Sequence, residues 1–310
     1  MSKRNKVLVT GGAGFIGSHL ALELLRRKYS VVVLDNLCSG KIANLKEINK
    51  KTGFEFIEGD IRGESKLKAA FKGVDAVIHL AALIDITASV TNPALTNDVN
   101  VTGTLNVLRE AAKNKVKRFV FASSTAVYGD SKTLPINEKV IVDPISPYAA
   151  SKLAGEAYCR AFTGSYGLST VVLRFFNVYG PRSENSPYCG VITKFLQQAN
   201  KGEAINIYGD GKQTRDFIHV KDIVESLILS LEAQDVDGET FNICTGIPTS
   251  INDLARSVQV VTQKNLPITY APARQGEIRF SYGDPSKAAE KLHFTAKVSL
   301  LEGLSSLVNR

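Results

Sequence analysis

The 310-residue sequence has few cysteines and histidines, and neither kind has a spacing typical of metal sites. Four cysteines are scattered along the chain without paired spacing: Cys38, Cys159, Cys189 and Cys244. This scatter indicates a reducing compartment and argues against a disulfide framework or a thiolate metal site. The four histidines are equally dispersed. Because a bound ion needs clustered ligands, we expect no metal centre.

The sequence also lacks long hydrophobic runs. No apolar stretch approaches the length of about 20 residues that a membrane-spanning helix needs. The apolar run that follows the charged N-terminal residues ends at Gly11-Gly12, too soon for the apolar core of a signal peptide. We therefore expect a cytoplasmic protein without membrane partners.

Positive charge is in excess but is not concentrated in one part of the sequence. The formal net charge is +8, yet the lysines and arginines are spread along the chain rather than gathered in one run. This spread favours a solvated basic surface with a few cations directed at phosphates. We expect no nucleic-acid partner, since a nucleic-acid binder concentrates its positive charge on one face.

The first half of the sequence alternates short apolar runs with helical patterns. These runs are apolar throughout, as expected of strands that are covered on both faces. The predicted strands are residues 7–10, 31–35, 54–60, 76–82, 118–124 and 169–177, and helical segments such as 18–28 and 106–115 lie between them. This order predicts an α/β fold with a Rossmann-type, doubly wound parallel sheet.

A glycine-rich segment follows the first predicted strand and opens a helix. In TGGAGFIGS at 10–18, Gly11, Gly14 and Gly17 allow a tight turn and a close approach to a pyrophosphate at the helix N-terminus. Asp35 ends the second strand, where a carboxylate can accept hydrogen bonds from ribose hydroxyls and repel a 2′-phosphate. A structural turn with a surface aspartate is the alternative. With no arginine beside Asp35, the pattern favours NAD over NADP.

The alternation of strands and helices in the sequence ends after Asn177, where a Gly/Pro/Ser-rich loop begins. We predict an NAD-binding Rossmann domain over residues 1–176, with a return segment at about 216–246. Residues 177–215 and 247–310 are then predicted to form a smaller, mixed α/β substrate lobe on the C-terminal side.

The segment SPYAASK at 146–152 places a phenol and an ammonium group on one helix face. Ser146 can cap a helix whose first residue is Pro147, and Tyr148 and Lys152 are then one turn apart. A neighbouring cation lowers the pKa of a phenol, which is otherwise near 10, and thereby makes it a usable base. Ser124, at the end of an earlier strand, offers a hydroxyl that would complete the site.

Together these segments resemble the extended short-chain dehydrogenase/reductase family, and in particular its nucleotide-sugar epimerases. The likeness rests on TGGAGFIGS and on eight further segments in the family's order: DNLCSG at 35–40, GDIRG at 59–63, HLAA at 79–82, NVTGT at 100–104, SSTAVYGD at 123–130, SPYAASK at 146–152, LRFFNVYGPR at 173–182 and TRDFIHVKD at 214–222. The resemblance implies NAD-dependent 4-epimerisation of a UDP-hexose through a 4-keto intermediate. It also implies a homodimer packed through the helices that begin near Asn100 and Tyr148.

The resemblance assigns roles to individual residues. Ser124, Tyr148 and Lys152 would be catalytic. The cofactor would contact Gly11, Gly14, Phe15, Ile16, Gly17, Asp35, Asn36, Ser39, Gly40, Asp60, Ile61, Leu80, Ala81, Ala82, Asn100, Tyr148, Lys152 and Phe176. The nucleotide sugar would contact Ser124, Asn177, Val191, Tyr208, Arg215, Arg274 and Ser281, with Arg215 and Arg274 on the diphosphate.

Departures from related sequences bear on the reaction and the substrate. The related dehydratases carry Asp-Glu after the strand-end Ser/Thr, and the decarboxylases carry Glu before Val-Tyr-Gly, whereas this chain has Thr125 and Ala126. Ser281 stands where these epimerases have either tyrosine or a small residue, and a small residue leaves room for a 2-acetamido group. Some relatives place lysine at the position of Ile84, and the absence of lysine here leaves the choice of sugar substrate open. UDP-glucuronate 4-epimerisation, another nucleotide-sugar reaction and a non-catalytic NAD-binding protein remain alternatives.

Overall fold

The computed structural model describes residues 5–183, 190–273, 276 and 278–308. Arg274, one of the predicted diphosphate contacts, lies outside the described residues. Among the helices within these ranges, none combines the length and the apolar character that crossing a membrane requires.

The described residues form short strands and helices that alternate through most of the chain. The strands are β1 (Lys6–Thr10), β2 (Ser30–Asp35), β3 (Phe54–Glu58), β4 (Ala76–His79), β5 (Arg118–Ser124), β6 (Thr170–Phe175), β7 (Asn177–Tyr179), β8 (Ile205–Tyr208), β9 (Thr214–Arg215), β10 (Phe217–His219), β11 (Glu239–Ile243), β12 (Thr249–Ser250), β13 (Ile268–Ala271) and β14 (Phe280–Ser281). The helices are α1 (Phe15–Arg26), α2 (Glu64–Ala70), α3 (Ile86–Thr91), α4 (Pro93–Asn97), α5 (Gly103–Lys113), α6 (Pro147–Tyr166), α7 (Val191–Lys201), α8 (Val220–Glu232), α9 (Ile251–Thr262), α10 (Ser286–Leu292) and α11 (Leu300–Val308). One turn of π-helix, Asp98–Thr102, joins α4 to α5.

Seven strands form one parallel sheet in the order β11-β6-β5-β4-β1-β2-β3. Along the chain the strands first run outward from β1 to β3 and then, from β4 onward, to the other side. The order therefore reverses between β1 and β4, the place where doubly wound sheets open a crevice for ligands. The predicted fold class is confirmed.

The apolar strands bury both faces of the sheet. In β1, Val7 and Val9 point to one side and Leu8 to the other, as the two-residue period of a strand requires. The first side packs against α1 and α8 through residues such as Leu20 and Leu227. The second side packs against helices that include α5 and α6. These two cores hold the carboxyl ends of the strands in one line.

Two strands end earlier than the sequence predicts. The runs 54–60 and 76–82 form strands only to Glu58 and His79. Beyond each strand, residues such as Asp60 and Leu80 leave the sheet and line a cavity at its edge. The run 169–177 also divides, because β7 leaves the large sheet and pairs with β10.

The C-terminal elements have an apolar cluster of their own. It joins α7, α9 and α11 through residues such as Phe195, Leu254 and Leu304. Small sheets accompany it, one of which pairs β9 with both β12 and β14. The strand β11 belongs to the large sheet, whereas β12 to β14 do not. The division of the chain at residue 177 stays a prediction.

Candidate active site

A cavity of about 560 Å³ lies along the carboxyl ends of the large sheet. Its volume is within the range of roughly 300–1,000 Å³ that small-molecule sites occupy. Of the predicted catalytic and cofactor residues, the wall includes Gly11, Gly14, Phe15, Ile16, Gly17, Asp35, Asn36, Ser39, Asp60, Ile61, Leu80, Ala81, Ala82, Ser124, Tyr148, Lys152 and Phe176. The fold thus brings residues from six strand ends and from the helices α1 and α6 to a single site.

The glycine turn between β1 and α1 depends on the absence of side chains. Gly11 has a φ of +70°, and a Cβ on it would lie 2.8 Å from the amide nitrogen of Ala81. A Cβ on Gly17 would lie only 2.3 Å from the carbonyl oxygen of Gly11. Gly14 precedes α1 and offers no side chain to cap it. The amides at this helix end therefore face the cavity and fit a pyrophosphate.

Asp35 closes the glycine turn from the adjacent strand. Its carboxylate accepts hydrogen bonds from the backbone amides of Ala13 at 2.9 Å and Leu37 at 2.8 Å. Burial raises the pKa of Asp35, and these two hydrogen bonds act in the opposite direction. Gly40 lies behind this group, and a Cβ on it would come within 3.0 Å of both Asp35 carboxylate oxygens. Gly40 makes room for Asp35 and is not among the described residues that line the cavity.

An arginine that the sequence analysis did not select also lines this end of the cavity. The Arg62 guanidinium donates to Asp60 at 2.8 and 2.9 Å and to Asp98 at 2.6 Å. These hydrogen bonds hold the pKa of Asp60 well below its usual range. Two carboxylates thus neutralise the arginine that could otherwise attract a 2′-phosphate, which agrees with NAD as the dinucleotide. The signal was present in the segment GDIRG.

The predicted catalytic residues meet where β5 ends and α6 begins. As predicted, Ser146 caps α6 by accepting from the Ala149 amide at 3.2 Å, and Pro147 is the first helical residue. The Tyr148 phenol forms a hydrogen bond with Ser124, and the Lys152 ammonium donates to the carbonyl oxygen of Ala122 at 2.9 Å. All three line the cavity.

Burial controls the protonation of this group. It raises the pKa of Tyr148, and the hydrogen bond with Ser124 works against that rise. Burial lowers the pKa of Lys152 to about 8, although Glu156 raises it. The prediction that Lys152 lowers the phenol pKa finds no support among the contacts within the chain, because that ammonium is directed at Ala122.

Asn100 lies behind the cavity wall rather than on it. This residue is 2% exposed and belongs to the π-helical turn. Its side-chain oxygen accepts from the Leu83 amide at 2.8 Å, and its amide group donates to the Leu83 carbonyl at 2.9 Å and to Ser151 at 3.0 Å. Asn100 therefore fixes the backbone of the segment that forms the wall.

Among the predicted substrate contacts that the structure describes, only Ser124 lines the cavity. Of those that the structure describes, Asn177, Val191, Tyr208, Arg215 and Ser281 are not among the lining residues. Asn177 and Val191 directly adjoin the lining residues Phe176, Val178 and Gly190. Tyr208 ends β8 and is half-exposed.

Arg215 and Ser281 are neighbours across the pairing of β9 with β14. The buried Asp216 holds this corner by accepting hydrogen bonds from Thr245 and from the amides of Gly246 and Gly283. Arg215 itself donates to the carbonyl oxygen of Thr214 at 2.8 Å. The corner thus brings together two of the predicted substrate contacts.

Several apolar lining residues had no signal in the sequence. They come from the loop after β4, from α4 and from the π-helical turn: Leu83, Leu95 and Val99. The wall also includes Ile84, which the sequence had already indicated as a position that bears on the choice of sugar. Arg182, from the segment LRFFNVYGPR, also lines the cavity and donates to Ser18 at 3.0 Å and to Glu47 at 3.1 Å. These residues depend on tertiary packing, which local sequence patterns do not report.

Comparisons with known proteins agree with this geometry. Residues 7–244 match the NAD dependent epimerase/dehydratase family. A UDP-glucose 4-epimerase of Mycolicibacterium smegmatis is 36% identical over 306 residues, which cover 98% of this chain and 97% of that protein. The crystal structure of a Thermotoga maritima UDP-glucose 4-epimerase with UDP-glucose superposes with a TM-score of 0.92 at 40% identity, covering 98% of this chain and 97% of that one.

A third similar protein carries a different sugar specificity in its name. It is a UDP-N-acetylglucosamine 4-epimerase from Methanobrevibacter ruminantium in complex with UDP-N-acetylmuramic acid, with a TM-score of 0.94 and 39% identity. The match covers 99% of this chain and 98% of that one. The likeness therefore extends from the glycine turn to the C-terminal elements.

Proposed function

This chain belongs to the NAD dependent epimerase/dehydratase family, and from that premise we propose that it inverts C4 of a UDP-hexose. Its cofactor is NAD. The observation that carries the proposal is one cavity whose wall joins the glycine turn to the hydrogen-bonded pair Ser124 and Tyr148 and to Lys152. A dinucleotide seated on the turn and a hydroxyl placed at the phenol would then share one enclosed space.

The reaction needs a group that takes and returns one proton. Bound NAD supplies the acceptor and donor of hydride. Tyr148 would accept the proton of the sugar 4-hydroxyl as hydride leaves C4 and the 4-keto sugar forms. It would return that proton to the same oxygen when hydride returns to either face of C4, so that either epimer can form. Ser124 holds the same sugar oxygen, and burial of the site excludes water from the keto sugar. Lys152 would hold a ribose hydroxyl of the dinucleotide and would contribute positive charge to the site.

The absence of a further acid favours epimerisation over elimination or decarboxylation. Thr125 and Ala126 follow Ser124, so no carboxylic acid stands there. Among the described residues that line the cavity, the carboxylates are Asp35 and Asp60. They follow β2 and β3, at least three strands from β5 and hence about 14 Å away at a strand spacing of about 4.8 Å. Neither can protonate a leaving group beside Tyr148.

A panel of nucleotide sugars tests the reaction. The protein is incubated separately with UDP-glucose, UDP-galactose, their N-acetylated forms and UDP-glucuronate, and products are followed by nuclear magnetic resonance and mass spectrometry. We expect an unchanged mass with inverted C4 for at least one neutral sugar. Loss of water or carbon dioxide from the sugar would contradict the proposal. Turnover of UDP-glucuronate alone would instead identify the protein as a uronate epimerase.

Ser281 is proposed to set tolerance of a 2-acetamido group. The residue is 7% exposed and adjoins Arg215, which we propose contacts the diphosphate together with Arg274. We expect Ser281→Tyr to lower kcat/KM for UDP-N-acetylgalactosamine at least about tenfold more than for UDP-galactose, since one misfit group in a pocket costs roughly 1–3 kcal/mol. Ser281→Ala is the control and should keep the ratio of the two values. Equal losses for both sugars would refute the assignment.

We also propose a homodimer packed through α5 and α6. These helices adjoin one another, and Tyr158 on α6 leaves 36% of its surface exposed. We expect light scattering to give twice the chain mass of 33.6 kDa, and Tyr158→Glu to shift the protein towards monomer because it places a charge in an apolar contact. Tyr270→Glu is the matched control, since Tyr270 lies on β13 and is 59% exposed. A wild-type monomer would reject the proposal.

A further inference from the structure

Three buried polar side chains behind the cavity form one chain of hydrogen bonds. Thr10 ends β1, His79 ends β4, and Thr104 lies in the first turn of α5; each is at most 1% exposed. The Thr10 hydroxyl lies 2.6 Å from Nδ1 of His79, and the Thr104 hydroxyl lies 2.9 Å from Nε2. Both ring nitrogens of a deeply buried imidazole therefore have partners.

The partners of Thr104 fix the direction of every bond in this chain. The Thr104 hydroxyl lies 2.6 Å from the carbonyl oxygen of Asn100, which can only accept, so Thr104 donates its single proton there. Nε2 of His79 must then carry the proton shared with Thr104. In a neutral ring Nδ1 is consequently an acceptor, and the Thr10 hydroxyl donates to it. The Thr10 oxygen remains able to accept from the Ala81 amide, which lies 3.3 Å away.

The surroundings of His79 keep its ring neutral. The imidazole stacks on Phe121 with ring centres 5.8 Å apart, and the Lys152 ammonium lies 5.2 Å from the centre of the same ring. Burial, with a smaller contribution from Lys152, lowers the pKa of His79 to about 3. The chain of hydrogen bonds has one proton arrangement as a result.

The two ends of this chain reach the two sides of the candidate active site. At one end, Thr10 directly precedes Gly11 and bonds to Ala81, so it contacts both the glycine turn and the wall. At the other end, Thr104 bonds to Asn100, whose side chain holds both polar groups of the Leu83 backbone. Asn100 also donates to Ser151, which in turn donates to the carbonyl oxygen of Tyr148 at 2.7 Å.

We propose that His79, as the neutral Nε2–H tautomer, is a positioning residue that ties the cavity wall 80–83 and the helix of Tyr148 to the glycine turn. His79 is not among the described residues that line the cavity, so it acts through its neighbours. The functional effect rests on the proposed reaction, whereas the tautomer and its effect on the wall do not depend on any substrate.

Nitrogen-15 nuclear magnetic resonance of the NAD-loaded wild-type protein tests the tautomer without any substitution. We expect a protonated Nε2 and an unprotonated Nδ1 for His79, unchanged between pH 5 and pH 8. A protonated Nδ1, or a ring that titrates within this range, would overturn the proposal. The spectrum is independent of catalysis, so this result stands apart from success or failure of the UDP-sugar panel.

Thr104→Val tests the positioning role, because it removes the acceptor of the Nε2 proton while keeping the size of the side chain. We expect the ring to change to the Nδ1–H tautomer and the amides of Ala81 and Leu83 to exchange with deuterium faster. We expect kcat to fall on the order of tenfold, less than the roughly hundredfold cost of a 1 Å misplacement. Thr104→Ser, which restores the hydroxyl, should recover the tautomer, the slow exchange and most of the rate.

Thr163→Val is the matched control, since the Thr163 hydroxyl also bonds to the carbonyl four residues earlier, Cys159, at 3.2 Å, but near the far end of α6. This variant should keep the wild-type tautomer, exchange rates and turnover. If Thr104→Val instead behaved like the control in exchange and turnover, the positioning role would be refuted. If Thr104→Val failed to fold, the same exchange and turnover measurements would be made on His79→Phe, which keeps an aromatic ring against Phe121 and removes both hydrogen bonds. Wild-type exchange and turnover in that variant would refute the positioning role.

Discussion

Tyr148→Phe is expected to lower kcat by a factor on the order of a hundred or more while NAD stays bound, the scale that follows from losing a general base. The substitution removes the phenol oxygen that bonds to Ser124 and leaves the aromatic ring in place. Because the ring is buried, its packing is kept and the fold should be unchanged. The loss should therefore fall on proton transfer and not on cofactor retention.

The expected loss of turnover is measured by initial rates with the most active UDP-sugar. Retention of the cofactor is measured by the amount of NAD bound per chain. Tyr158→Phe is a matched control, because Tyr158 lies on the same helix at its half-exposed face and outside the wall of the cavity. Near-normal turnover of Tyr148→Phe would remove the phenol from the mechanism. Loss of NAD with loss of activity would instead give Tyr148 a binding role.

The fold followed from local patterns to a large degree. Uninterrupted apolar runs in β1, β2 and β5 indicated strands that are buried on both faces, and the Ser146-Pro147 pair fixed the start of α6. The ends of β3 and β4 could not be located from the sequence, because the residues that follow each strand, such as Asp60 and the apolar Leu80, line the cavity instead of continuing the sheet. Apolar character indicates burial but does not distinguish a strand from a cavity wall.

The site was predictable where the backbone itself makes the contact. Gly11 and Gly17 stand in close approaches that exclude a Cβ, and such approaches leave a signal in the sequence. Asn100 shows the opposite case, because its side chain fixes Leu83 and only the structure reveals that the wall stands between it and the cavity. Arg62 was also missed, because only its pairing with the distant Asp98, together with the neighbouring Asp60, shows that its charge is neutralised.

The electrostatic environment of the candidate catalytic residues was the feature that the sequence predicted least well. The one-turn spacing of Tyr148 and Lys152 suggested direct tuning of the phenol, yet the ammonium is committed to the Ala122 carbonyl, 30 residues earlier in the chain. Burial then outweighs local hydrogen bonds and raises the phenol pKa. Within the proposed mechanism, oxidised NAD would bring additional positive charge into the cavity and would favour the phenolate.

Breaking the buried ion pair that lies one turn beyond Lys152 is expected to have a large effect on stability. Glu156 accepts from Arg174 through two hydrogen bonds of 2.9 and 2.6 Å and also accepts from Ser123. Both charged side chains are less than one-tenth exposed, and the Arg174 guanidinium lies 4.6 Å from the centre of the Tyr128 ring. This pair joins α6, the helix that carries Tyr148, to β6.

Glu156→Gln is expected to lower the free energy of unfolding by about 3–5 kcal/mol, because it leaves the Arg174 charge buried and uncompensated. Urea unfolding followed by circular dichroism measures the loss. Asp210→Asn is the control, since Asp210 makes two hydrogen bonds of 2.7 Å to Arg279 in an exposed pair that solvent screens, and it should change the midpoint little.

A second comparison separates the net contribution of the ion pair to the free energy of unfolding from the cost of leaving one charge without its partner. Glu156→Leu combined with Arg174→Met removes both charges and keeps similar volume, and such replacements are often neutral or stabilising. We expect the double variant to be more stable than Glu156→Gln by at least about 2 kcal/mol. If both variants lost the same free energy, packing rather than an unpaired charge would explain the loss. Glu156 also raises the pKa of Lys152. Both variants should therefore lower the pKa of Lys152 in addition to changing the free energy of unfolding.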